Sequence, residues 1–320
     1  MTGLPARSAS EGDEPTNAPA TIASVQRPLH GAMWMLAAAV TFTLAMALVK
    51  FLGNSFAPAV QTFCRQVVSL IVLLPFVLAG PRRILRTSRP GYMLSRSAAS
   101  SIGLILTYTS YQQLGLAQAN ALSFTRILFM VPLAMLILGE RVMAGRVVAT
   151  LIGFAGVVVV LKPWSAETII GWASAAGIAA ALLASWALIG VKSMTRDHGQ
   201  MTLLAWAAVL GVIFTAPAAA LEWTTPHGRD LALLGLMGLL STVTQACYIR
   251  GMSMGDATAL APIDYTRIVF ASVFGYAFFG DVPDVETLAG AAIIVGAAVF
   301  ITLHSRRRVA RAASIIADTP

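Results

Sequence analysis

Residues 121–140, ALSFTRILFMVPLAMLILGE, form a nearly uninterrupted apolar stretch that carries one arginine, Arg126, close to its first end. Residues 263–281, IDYTRIVFASVFGYAFFGD, repeat this pattern: both stretches have Thr-Arg-Ile near the start, and an acid follows the arginine after fourteen positions. About twenty apolar residues are enough to cross the hydrocarbon core of a bilayer as a helix. The two stretches therefore indicate a membrane protein with an internal duplication.

The composition extends this prediction to the whole chain. Hydrophobic residues make up 57% and charged residues only 11%, whereas soluble domains have roughly 45–50% and 25%. The third of the predicted spans is polar enough for hydropathy alone to miss it, but the charge pattern requires it. The sequence predicts an all-α polytopic protein with ten transmembrane helices, near 31–49, 57–79, 95–113, 118–138, 145–162, 168–190, 201–220, 231–249, 257–279 and 286–304.

The distribution of Lys and Arg predicts the orientation of these helices. With the amino terminus in the cytoplasm, sixteen Lys and Arg fall on the inside and three, Lys50, Lys162 and Arg229, on the outside. This asymmetry satisfies the positive-inside rule with both termini cytoplasmic. The net charge of +8 then reflects membrane topology, so we expect a multi-pass membrane protein and no nucleic-acid partner.

The duplication divides the chain into two repeats. GLAQANAL before the first stretch matches SMGDATAL before the second, and a glycine-containing apolar span follows each stretch. We expect a disordered cytoplasmic tail (1–28), a first repeat (29–163), a second repeat (164–305) and a basic cytoplasmic tail (306–320). Five spans per repeat is an odd number, so the second repeat is inverted. Inverted repeats are typical of transporters, although a duplication can also simply build a larger bundle.

The repeated segments, together with FCRQ at residues 63–66, resemble the EamA-type members of the drug/metabolite transporter superfamily over residues 31–304. The resemblance implies ten helices, as two inverted five-helix repeats, around a central cavity. It also implies an inner-membrane carrier of a small metabolite such as an amino acid, S-adenosylmethionine or riboflavin. One departure is that the second repeat ends in Gly-Asp where Gly-Glu is commoner, and we interpret this corner as a structural cap.

Four charged residues fall in the interior of the predicted spans, away from their ends: Arg65, Arg126, Arg267 and Asp264. A central arginine costs about 2.5–3.5 kcal/mol on insertion scales, so we expect these side chains to face a cavity or a partner. Asp264 and Arg267 are three positions apart and can pair across one turn. The excess of arginine favours an anionic or zwitterionic metabolite. Alternatively, Arg65 and Arg126 snorkel or donate to backbone carbonyls at helix kinks.

Polar and aromatic residues within the spans complete the predicted substrate site. The expected substrate-binding residues are Arg65, Arg126, Arg267, Asp264, Tyr108, Tyr111, Gln112, Gln245, Tyr248 and Tyr265.

Residues 251–255, GMSMG, match the Gly-x-Ser-x-Gly pattern of hydrolases, but that motif requires a strand-to-helix turn. We therefore expect no enzyme, no catalytic residue, no cofactor and no metal site. The prediction is a monomeric secondary carrier that works in the lipid bilayer by alternating access. The alternatives are a channel or a non-transport membrane protein and, less expected, a membrane enzyme. Asp264 is the membrane carboxylate that could couple protons.

Overall fold

The computed structural model describes residues 28–79, 87, 89–138, 144–161, 171–194, 200–254 and 264–300, and within these ranges it contains ten helices and no strand. One helix corresponds to each of the ten predicted spans, which confirms the all-α prediction. Both predicted tails lie outside the described residues. The helices are α1 (Pro28–Leu52), α2 (Pro58–Ala79), α3 (Pro90–Gln113), α4 (Leu116–Leu138), α5 (Ala144–Leu161), α6 (Trp172–Met194), α7 (Gln200–Leu221), α8 (Arg229–Met254), α9 (Arg267–Phe279) and α10 (Val285–Phe300).

Six of the helices are long and apolar enough to cross a membrane: α1, α2, α4, α6, α7 and α8. Helices α5, α9 and α10 contain shorter apolar stretches, and α3 is the polar helix that hydropathy misses. On α3, Ser97, Ser101 and Ser110 are buried, which confirms that its polar side faces the interior of the bundle. The predicted ninth span begins at residue 257, but α9 begins at Arg267, and residues 255–263 lie outside the described residues.

Hydroxyl groups within the helices donate hydrogen bonds to the backbone one turn earlier. Thr43 Oγ1 donates to Ala39 O at 2.8 Å, and Thr215 Oγ1 donates to Gly211 O at 2.7 Å. Because lipid offers no hydrogen-bond partner, this local pairing lets a polar residue sit in a transmembrane helix at little cost.

The packing of the helices follows the duplication. Helix α1 packs along α8, and α3 packs along α6. The first five helices correspond in order to the last five, so α1 corresponds to α6 and α3 to α8. The contact α1–α8 in this way corresponds to the contact α6–α3. The contacts α2–α7 and α4–α9 each join a helix to its own equivalent in the other repeat. The protein is therefore built from two inverted, interlocking five-helix repeats.

The last helices of the two repeats meet through glycine. A Cβ atom placed on Gly290 would lie 2.7 Å from the carbonyl oxygen of Gly156, and one placed on Gly156 would lie 3.0 Å from the carbonyl oxygen of Gly290. Glycine at both positions lets the backbones of α5 and α10 approach this closely. One apolar cluster surrounds this contact, and another surrounds Tyr108 and Tyr111 on α3.

Candidate functional site

Asp264 joins the equivalent arginines of the two repeats. Its Oδ2 accepts a hydrogen bond from Arg126 Nη2 at 3.1 Å, and its Oδ1 accepts one from Arg267 Nε at 2.6 Å and another from Arg267 Nη2. Asp264 and Arg267 are buried, and Arg126 is half-buried. We call Arg126, Asp264 and Arg267 the arginine–aspartate cluster. Two guanidinium groups and one carboxylate give it a formal charge of +1.

The two arginines lie at equivalent sequence positions but in different local structure. Arg126 is inside α4, and its carbonyl oxygen accepts a hydrogen bond from Ser185 Oγ at 2.6 Å. Arg267 is the first residue of α9, and its carbonyl oxygen accepts a hydrogen bond from Asn120 Nδ2 at 3.0 Å. In each case a side chain of the other repeat holds the backbone of the arginine. The cluster therefore couples the positions of the two repeats.

Aromatic rings cover both arginines. The guanidinium carbon of Arg267 lies 4.3 Å from the centroid of Phe42, and that of Arg126 lies 5.9 Å from the centroid of Phe124. Phe42 also contacts Tyr111 edge-on, with centroids 6.3 Å apart, and Phe124 contacts Tyr265 at 5.1 Å. Cation–π contacts of this kind stabilise a poorly hydrated guanidinium by about 0.5–2 kcal/mol. The rings shield the cluster from the surrounding apolar helices.

Two tyrosines of α3 extend the site towards α2. Tyr108 and Tyr111 are almost completely buried, and their hydroxyl groups have no hydrogen-bond partner among the described residues. Tyr111 lies within electrostatic range of Arg267, and Tyr108 within range of Arg65 on α2. Buried tyrosine hydroxyls usually find a partner. These two buried hydroxyl groups are therefore candidates for contacts with a bound substrate.

A second ion pair closes one end of the bundle. Lys50 Nζ, near the end of α1, pairs with Asp281 Oδ2, and it also lies 4.9 Å from the ring centroid of Phe279. The same carboxylate oxygen accepts a hydrogen bond from the backbone N–H of Leu116 at 3.3 Å, at the start of α4. Gly280, with φ of 68°, ends α9 in the left-handed conformation that glycine adopts readily. Asp281 therefore acts as a cap that ties three helix ends together.

The sequence profile of the EamA-like transporter family matches the chain twice, over residues 29–162 and 171–303. The chain belongs to the EamA-like transporter family. Each match covers one five-helix repeat, so the family's defining unit is present in both inverted copies.

Curated relatives of this EamA-like transporter carry transport functions. The chain is 31% identical to an S-adenosylmethionine uptake transporter of Rickettsia felis, over 88% of this chain and 96% of that protein. It is 32% identical to a riboflavin transporter of Rhizobium johnstonii, over 88% and 94%, and 29% identical to a riboflavin transporter of Vibrio cholerae, over 90% and 98%. A solved crystal structure at 18% identity superposes with a TM-score of 0.59 over 88% of this chain and 97% of that chain, which supports the fold.

These similarities identify the protein as a multi-pass membrane transporter of small metabolites and not as an enzyme. The Gly-x-Ser-x-Gly pattern at residues 251–255 accordingly carries no catalytic function. Residues 251–254 belong to α8, whereas a nucleophile elbow sits on a turn between a strand and a helix.

The remaining predicted site residues of this EamA-like transporter occupy different positions. Gln112 Nε2 donates to Phe56 O at 3.2 Å in the connection between α1 and α2. Tyr265 is buried behind Phe124, in a second layer. Gln245 and Tyr248 are exposed on α8 and make none of the described contacts with the arginine–aspartate cluster. Their role in substrate binding stays a prediction.

The sequence analysis missed three residues that shape the site: Phe42, Asn120 and Ser185. Asn120 lies in the GLAQANAL segment, and the matching segment SMGDATAL also has a polar residue at this position. A polar residue at the same place in both repeats could have indicated a role in the site. Phe42 and Ser185 have no comparable signal, because an aromatic ring in α1 and a serine in the small-residue run of α6 are ordinary components of packed membrane helices.

Proposed function

We propose that this EamA-like transporter carries a small anionic or zwitterionic metabolite across the bacterial inner membrane by alternating access. The arginine–aspartate cluster is the observation that carries the proposal. It joins the same position of both repeats through a single carboxylate, so any movement of one repeat against the other changes its geometry.

Alternating access follows from the inverted repeats. Two similar halves that exchange conformations give inward-open and outward-open states of nearly equal energy, with the substrate near the repeat interface. With the amino terminus in the cytoplasm, Lys50 and Asp281 lie at the outer face of the membrane. Their ion pair then represents a state closed to the outside.

The charge of the site favours an anionic group on the substrate. The arginine–aspartate cluster carries a formal charge of +1, and Arg65 adds a further positive charge. Arginine binds carboxylate and phosphate through two parallel hydrogen bonds, so such a group would offset the excess charge. An amino acid bears a carboxylate and fits this requirement. S-adenosylmethionine also offers a carboxylate to the arginines, but its ammonium and sulfonium groups leave the whole molecule with a net positive charge, and riboflavin is uncharged at neutral pH.

The proposal is tested by uptake into proteoliposomes. Purified protein is reconstituted, the vesicles are loaded with an unlabelled candidate, and entry of the labelled compound is followed. The candidates are S-adenosylmethionine, riboflavin and amino acids. The variant Arg126→Gln tests the cluster, and Arg229→Gln is a matched control, since Arg229 is exposed at the start of α8.

Saturable uptake of S-adenosylmethionine or an amino acid that Arg126→Gln reduces at least tenfold and Arg229→Gln leaves unchanged would support the proposal. Uptake that does not saturate would indicate a channel. Saturable transport of riboflavin alone would contradict the anionic character of the substrate while leaving the carrier function in place.

A further inference from the structure

Arg65 differs from the other two membrane arginines in having no ion-pair or hydrogen-bond partner among the described residues. Arg126 and Arg267 share the carboxylate of Asp264, whereas Arg65 forms no ion pair or hydrogen bond with any described residue. Its Nε is sealed from solvent and unpaired, and the side chain as a whole is half-buried. The two outer nitrogens of the guanidinium form no hydrogen bond with the part of the chain that the structure describes.

Tyr108 lies within electrostatic range of this cation. It is completely buried, and its hydroxyl group also lacks a hydrogen-bond partner among the described residues. Ser241 of α8 is the nearest hydrogen-bonding side chain to this hydroxyl, and it donates its own proton to Met237 O at 2.9 Å. Helices α2, α3 and α8 thus place an arginine and a buried tyrosine hydroxyl within electrostatic range of each other. We call Arg65, Tyr108 and Ser241 the Arg65 subsite.

We infer that the Arg65 subsite, and not the arginine–aspartate cluster, binds the carboxylate of the substrate. This inference rests on the proposed function. A carboxylate accepts two parallel hydrogen bonds from a guanidinium and has lone pairs left for a third donor. Tyr108 is placed to supply that third donor. Asp264 already occupies the inward nitrogens of Arg267, so the cluster serves to link the repeats.

The two centres are connected through α3. Tyr108 lies within electrostatic range of Arg65, and Tyr111 within range of the arginine–aspartate cluster. Three residues on a helix correspond to a rise of about 4.5 Å on the same face. A carboxylate held at Arg65 would therefore place the rest of a small metabolite against Tyr111 and the cluster, where binding can change the geometry between the repeats.

The test compares two substrates that differ only in the carboxylate: S-adenosylmethionine and its decarboxylated form. Uptake of each into proteoliposomes is measured for the wild type, Arg65→Gln, Tyr108→Phe and Arg126→Gln. In the wild type we expect a preference of at least tenfold for S-adenosylmethionine. Losing a charge-assisted bidentate contact should raise the KM for S-adenosylmethionine by about 10- to 100-fold in Arg65→Gln, with little change for the decarboxylated compound.

Tyr108→Phe keeps the ring and removes only the hydroxyl group. We therefore expect this variant to fold, so it tests the subsite even if Arg65→Gln does not fold. It should raise the KM for S-adenosylmethionine by about 3- to 10-fold and leave the decarboxylated compound unaffected. Arg126→Gln should lower the uptake rate of both compounds equally, because it acts on the link between the repeats.

Two outcomes would overturn the inference. If Arg65→Gln and Tyr108→Phe lower the uptake of both compounds equally, the subsite has only a structural role, and the proposed function stands. If the preference for the carboxylate disappears in Arg126→Gln instead, the cluster binds the anion. Absence of saturable uptake by the wild type for every candidate would count against the proposed function itself, and the inference would fall with it.

Discussion

Replacing Asp264 by Asn should destabilise the protein more than any other single change in the arginine–aspartate cluster. Asn has nearly the same shape as Asp, so the change opens no cavity, but it leaves two guanidinium groups without a carboxylate. The side chain of Arg267 is 7% exposed and that of Asp264 is 10% exposed, so breaking this pair falls in the range of about 3–5 kcal/mol measured for buried pairs.

The contribution of Arg126 is smaller. Its side chain is 23% exposed, so water screens part of its charge once Asp264 is gone. We therefore assign about 1 kcal/mol of lost stability to breaking the pair of Arg126 with Asp264. Asp264→Asn should therefore cost about 4–6 kcal/mol in all. At about 2 °C per kcal/mol for a chain of this size, this lowers the melting temperature of the purified protein in detergent by roughly 8–12 °C.

A double-mutant cycle with Arg267→Gln tests the physical reason. In the background of Asp264→Asn, removing Arg267 removes the more deeply buried of the two unpaired charges, so the double variant should melt at a higher temperature than Asp264→Asn alone. Independent residues would give a lower melting temperature for the double variant. A melting temperature of Asp264→Asn within about 2 °C of wild type, or additive effects in the cycle, would refute the reasoning.

Three further predictions concern the rest of the fold. Lys50→Met and Asp281→Asn should each lower the melting temperature by about 2 °C, and the double variant no further, because both break one partly exposed ion pair; additive losses would contradict the pairing. Gly290→Ala should reduce the yield of folded protein, because its Cβ would lie 2.7 Å from Gly156 O, whereas Gly296→Ala, with no atom within 4 Å, is the matched control; equal yields would contradict the close contact of α5 and α10. In a chain with Cys64 and Cys247 replaced by Ser, Thr225→Cys in the connection between α7 and α8 should react with an impermeant maleimide in intact cells, and Thr87→Cys only after permeabilisation; the opposite labelling would reverse the proposed orientation.

The sequence predicted the helices well because the requirement is local. A membrane helix must satisfy its own backbone hydrogen bonds and present about twenty apolar residues to lipid, and both properties can be counted along the chain. Even α3 was predicted, through the charge pattern of its flanking loops. The pairing of Asp264 with Arg267 was also within reach, since three positions on a helix bring side chains together.

The contacts between the repeats could not be predicted in this way. Asp264 also binds Arg126, and Asp281 binds Lys50, but these partners are far apart in the chain and meet only through the packing of α1, α4 and α9. Spacing along one helix carries no information about such pairs. The hydrogen bond from Gln112 to the backbone of Phe56 is another contact between distant parts of the chain that spacing does not indicate, and the role of Gln112 in substrate binding stays a prediction.

Counterflow tests the central claim most directly. Proteoliposomes loaded with unlabelled S-adenosylmethionine at high concentration are diluted into labelled S-adenosylmethionine at low concentration. A carrier that binds its substrate and alternates between two states will accumulate label transiently above its equilibrium level, and Arg65→Gln will abolish this overshoot. A wild-type protein that equilibrates the label without an overshoot, for this and every other candidate, would contradict the account.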